Sequence, residues 1–97
     1  MSPLGERLYF FAVILWYRKG IWVASKIDIY IIEQVKEKRI EKGISQYELA
    51  FELEIPRSFI SMAESGKYGK KYSTTLLNEI AKVFECSPKD FLPEKPL

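Results

Sequence analysis

The spacing of hydrophobic positions along this chain changes near Ser25. Before it, Leu8 to Tyr17 is an unbroken apolar run, Arg18-Lys19-Gly20 interrupts it, and Ile21-Trp22-Val23-Ala24 resumes it. Aromatic and β-branched enrichment favours a strand pair, a short hairpin turning at Arg18-Lys19-Gly20. An apolar helix packed on the domain or on a second copy is the alternative, because periodicity does not settle runs this short. A translated upstream extension without an evolved role is a third. From Ile27 the apolar positions recur at helical spacing, and no strand is expected beyond Ser25.

Five helical elements are predicted there. In helix one, Ile29, Ile32, Val35 and Ile40 fall near one face and Glu33, Lys36, Glu37 and Glu41 on the other, with Gly43 as the stop. Ser45-Gln46-Tyr47-Glu48 reads as a capping box opening helix two, which runs to about Leu53. Pro56 suits the first position of helix three, where Ile60 and Ala63 face inward and Gly66 ends the helix. Ser73 or Thr74 opens helix four, with an apolar stripe of Leu76, Leu77, Ile80, Ala81 and Phe84. Ser87-Pro88-Lys89-Asp90 then opens a short closing turn that Phe91 and Leu92 pin to the core. The expected class is an all-α, five-helix bundle: an apolar extension over residues 1–26, a helical domain over 27–92 and a tail over 93–97.

Composition narrows the function. Ninety-seven residues make one small domain with a single core. Fifteen Lys plus Arg against thirteen Asp plus Glu leave +2, so any affinity for nucleic acid must come from how the charge is distributed. One cysteine, Cys86, and no histidine remove the internal disulfide, the usual metal sites and the commonest general base. No metal, no cofactor and no catalysis are expected, and a reducing cytoplasm fits best. The ten-residue apolar run is about half of what spans a bilayer. As a secretory signal it is imperfect, since Glu6 and Arg7 cancel and two cations break the apolar stretch.

Ile44 to Gly66 carries the chemistry. Two short helices joined by a tight turn, the second opening with polar residues, form the layout that pushes a helix end into the major groove of DNA. No acidic residue lies between Ser65 and Asn78, where Lys67, Lys70 and Lys71 cluster with Tyr68, Tyr72, Ser73 and Thr74. Cations there release counterions and hydroxyls donate to phosphate oxygens.

An ordered set of residues resembles the phage repressor and Cro-type helix-turn-helix family, also called the xenobiotic-response-element family. The set is Val35-Lys-Glu-Lys-Arg39, Gly43-Ile-Ser-Gln46, Glu48-Leu49-Ala50, Ile55, Ile60-Ser61, Glu64 and Gly66-Lys67, with Cys86-Ser-Pro-Lys-Asp-Phe-Leu92 at the close. The resemblance spans residues 28–92 and implies a repressor-like bundle that binds double-stranded DNA. It places Arg57, Ser58, Ser61 and Met62 at base edges, Arg57 as the best reader of guanine, and leaves Met62 open between a thymine methyl and packing. It places Gln46 at a phosphate, as a helix N-terminus favours. Lys67, Lys70, Lys71 and Tyr72 would contact phosphates along the following loop. Arg39 and Glu64 match a pair that links helix one to the end of the recognition helix. Leu49, Ala50, Ile55 and Ile60 would fix the angle between helices, and Phe59, unusual at its position, is read as packing.

Two residues depart from the family pattern. Glu54 occupies a turn position that often holds glycine, and a left-handed backbone there costs a non-glycine about 1–2 kcal/mol. Pro56 replaces the Ser or Thr that usually caps helix three. The function expected is a sequence-specific transcriptional regulator, a homodimer on a palindromic operator with half-sites roughly 34 Å apart. The alternative is an antitoxin-like interaction module with autoregulatory DNA binding, holding a protein partner through residues 8–24.

Overall fold

The computed structural model describes residues 24–97. The expectations for the apolar extension, including the hairpin and a protein partner at residues 8–24, lie outside the described residues. Among those described there are four α-helices, no strands, and a single 3-10 turn where a fifth helix was expected. The helices are α1 (Lys26–Glu41), α2 (Gln46–Leu53), α3 (Arg57–Ser65) and α4 (Thr74–Phe84), followed by the 3-10 turn Pro88–Phe91. None is long and apolar enough to cross a membrane.

Serine hydroxyls begin most of these elements. Ser25 and Asp28 form a full capping box at α1, one residue ahead of the expected domain start at Ile27, and Ser87 and Asp90 form another at the 3-10 turn. Ser73 accepts from the Leu76 amide at 3.1 Å. At α2 the Ser45 hydroxyl accepts from the Glu48 amide at 3.0 Å, but the Glu48 carboxylate takes the Ser45 hydroxyl at 3.3 Å instead of its backbone amide. The expected box there is thus half formed. Each such cap is worth about 1 kcal/mol against alanine.

Three of the four helices end in one way. Gly43, Glu54 and Glu85 adopt left-handed φ values of 69°, 57° and 55°. After each, an apolar residue sends its amide five residues back: Ile44 to Arg39, Ile55 to Ala50, and Cys86 to Ala81. The three side chains then pack on the core. This is the Schellman closure, in which orphan carbonyls are satisfied while an apolar side chain folds back over the helix end.

The core joins Ile32 and Val35 of α1, Leu49 and Ala50 of α2, Ile60 and Ala63 of α3, and Leu77, Ile80, Ala81 and Phe84 of α4. Phe91 closes it, edge-on to Phe84 with ring centroids 6.2 Å apart. Three apolar residues expected inside are outside: Ile29, Ile40 and Leu92 are each more than two-fifths exposed. The reason for Ile40 is geometric. Four residues past Val35 the buried face reaches Arg39, so Ile40, one further, turns away by about 100°. Ala50 is 2% exposed on α2, the helix that packs on α3, and its small side chain suits a close approach between helices.

Candidate nucleic-acid interface

The turn between α2 and α3 is fixed by its backbone. Glu54, at φ 57° and ψ 41°, reverses the chain, and its amide and that of Ile55 take up carbonyls of Phe51 and Ala50 at 3.1 Å. Pro56 follows at φ −63° and ψ 139° and serves as the residue before α3, one position earlier than expected. It gives no side-chain cap, so the leading amides of α3 lack the hydroxyl acceptor that Ser45 and Ser73 supply to theirs.

Successive positions in a helix turn by about 100°, so Ser58, Ser61, Met62 and Ser65 lie along one stripe of α3. Ser58, Ser61 and Ser65 are exposed and Met62 is half-buried. Together with Lys67 and Tyr68 they surround a shallow depression of about 300 Å³. Arg57, also exposed, stands at the head of this stripe on one flank, while Ile60 and Ala63 face the core. Three of the four residues expected at base edges therefore line one hollow, with the fourth beside it. Tyr68, expected in the loop cluster that meets phosphate, lines the same hollow, as does Ser65, which had no assigned role. Ser65 was within reach of sequence reasoning, since it lies seven residues, two turns, beyond Ser58.

On the flank of α3 that carries Arg57 sits a charged junction. The Arg39 guanidinium donates through Nε and Nη2 to the two Glu64 oxygens at 2.8 and 3.2 Å, and through Nη1 to the Ile44 carbonyl at 2.8 Å. The Gln46 side-chain amide donates to the same Glu64 carboxylate. The side chain of Glu64 is 4% exposed and that of Arg39 11%. The pair links α1 to the end of α3, and Gln46 adds the first residue of α2. The link to Gln46 joins residues eighteen apart and leaves no local signal in the sequence. One side-chain N–H of Gln46 is thereby committed inward.

Tyr72 stands apart from its expected role. It is 7% exposed, with its hydroxyl shut inside the core and unpartnered among the described residues, so it offers nothing to a phosphate. Burial raises its pKa strongly, the Glu64 carboxylate raises it further, and the Arg39 guanidinium lowers it in part. The aromatic ring is what the fold uses: Tyr72 packs on Phe59, with centroids 6.2 Å apart. Phe59 is half-buried against the core, as its packing role requires. The Lys70 ammonium lies 5.9 Å from the centre of the Phe59 ring. Lys67 and Lys71 are exposed on the same loop.

The family model described as Helix-turn-helix matches residues 35–91, from the second half of α1 through the 3-10 turn. Among solved structures, the restriction-modification controller protein C.AhdI from Aeromonas hydrophila is 25% identical, with a TM-score of 0.59 over 66% of this chain and 94% of that one. A mutant of the restriction-modification controller protein C.Esp1396I is 29% identical, with a TM-score of 0.61 over 71% of this chain and 85% of that one. Apo-HppE, at 24% identity and a TM-score of 0.61, shares the fold over 70% of this chain, which spans 37% of that longer protein. No curated protein matches the chain.

Proposed function

The chain belongs to the Cro/C1-type helix-turn-helix family of DNA-binding transcription regulators, and from that premise we propose a sequence-specific operator binder that seats the start of α3 in the major groove. One observation carries this reading. The outward stripe of α3 carries three exposed serines, with Arg57 at its head and a lysine-bearing loop free of acidic residues at its foot. Short hydroxyls let the helix approach base edges, Arg57 presents a fork suited to guanine, and Met62 offers a methyl-sized contact to thymine. Lys67, Lys70 and Lys71 attract the phosphate backbone. Gln46 contributes its backbone amide at the start of α2, a position that favours an anion.

The protein acts by occupancy of its site, with no chemistry of its own. A single α3 reads only a few base pairs, so a homodimer on a palindromic operator, with half-sites roughly one helical turn apart, supplies the specificity. That two of the similar structures are controller proteins supports the regulatory reading.

Selection of bound sequences from random DNA tests it. A single enriched, two-fold symmetric site is expected, and equal retention of all sequences would refute it. On the selected site, Arg57→Ala is expected to relax preference at one base pair with a loss of about 1–3 kcal/mol. Lys67→Gln is expected to weaken all sequences alike and to lower the slope of log K against log salt by about 0.9.

A further inference from the structure

We propose that Phe59 is a positioning residue for DNA binding: its ring holds the Lys70 ammonium beside the outward stripe of α3, where it meets one of the two phosphate rows bordering the major groove. The inference rests on the DNA-binding reading above and adds a residue and a side to it. Phe59 follows Ser58 by one position, so it stands on the flank of α3 about 100° from the stripe, opposite the flank that carries Arg57 and Glu64. A helix lying in a groove about 12 Å wide has a sugar-phosphate strand along each flank. On the Glu64 flank, the buried carboxylate fastens Gln46 and with it the start of α2. On the Phe59 flank, the structure places Lys70 over the ring at 5.9 Å.

The support beneath that ring is rigid. Phe59 rests on Tyr72, which is 93% buried and packed in the core, so the platform is fixed from below. Lysine is a compact charge on a long, mobile stem, and ordering it at a phosphate costs side-chain entropy. An aromatic face that attracts the ammonium through its quadrupole removes part of that cost before DNA arrives. The aromatic ring of Phe59 is thus explained at a position where a small polar residue would leave Lys70 unsupported.

A double-mutant cycle on the full chain tests the proposal, with binding to the selected operator and to an unrelated duplex measured across a salt series. Phe59→Leu is expected to weaken both duplexes about two- to fivefold, to leave base preference unchanged, and to have no further effect in a Lys70→Gln background. Phe59→Tyr, which keeps the ring, is expected to restore wild-type affinity. In the free protein, the Lys70 side-chain protons are expected to show an upfield ring-current shift that Phe59→Leu abolishes and Phe59→Tyr retains. Equal losses from Phe59→Leu with and without Lys70, or a changed base preference, would overturn the positioning role while leaving DNA binding intact. An unshifted Lys70 in the wild-type protein would overturn it even if Phe59→Leu fails to fold. A wild-type chain that retains no duplex would overturn the function and this inference together.

Discussion

Tyr72 shows how one atom can be at odds with the site around it. Its hydroxyl is enclosed near the Arg39–Glu64 pair without a hydrogen-bond partner among the described residues, and a buried unpaired hydroxyl costs about 1–3 kcal/mol. Tyr72→Phe keeps the ring that supports Phe59 and removes the oxygen, so chemical denaturation is expected to find the variant as stable as the parent or up to about 1 kcal/mol more stable. DNA affinity is expected to stay unchanged, which separates a core tyrosine from a phosphate-binding one. A pH dependence follows from the same burial. In the unfolded chain this tyrosine loses its proton near pH 10.0, whereas the fold holds it neutral to higher pH. A folded-state pKa raised in this way gives stability that is complete below pH 10 and falls as pH rises beyond it. Thermal midpoints are expected to drop more steeply above that pH in the parent than in Tyr72→Phe.

Helix ends are where the sequence speaks most clearly and where it also misleads. Ser45, Ser73, Ser87 and Gly66 were legible because a cap is a contact between residues at most five apart. Glu54 was legible as a strained turn because the family resemblance puts it where glycine is common. Glu85 was not, although Glu85-Cys86 repeats the logic of Gly43-Ile44 and Glu54-Ile55, because glutamate carries no preference for left-handed backbone. Replacing either Glu54 or Glu85 by glycine is expected to raise stability by about 0.5–1 kcal/mol, read as a higher denaturant midpoint at unchanged slope. The helix faces were legible in α4, where the stripe is broad, and less so in α1, where the buried face continues from Val35 into Arg39. A charged residue on that face looks polar in sequence and becomes interior only because Glu64 meets it. The candidate readers on α3 were legible as a stripe, whereas the roles of Gln46, Phe59 and Tyr72 depend on contacts with distant residues.

Across the whole molecule, the Arg39–Glu64–Gln46 junction does what no single interface between helices does, since it fastens α1, α2 and the end of α3 at one buried carboxylate. Removing Arg39 leaves the enclosed Glu64 charge without its counter-charge and with only the Gln46 amide donating to it. Arg39→Ala is therefore expected to cost about 3–5 kcal/mol in equilibrium unfolding, a large part of a small domain's stability. Pro56 sets the opposite condition at the other end of the same helix. The C-terminal end of α3 is pinned to the rest of the fold and the N-terminal end lacks a side-chain cap, so any fraying of this helix is expected at its start. Amide hydrogen exchange is therefore expected to be faster in its first turn, at Arg57 and Ser58, than at Glu64, while the Arg39–Glu64 link holds the other end. A rigid shaft with an adaptable tip lets one scaffold adjust to small differences in groove geometry without repacking its core.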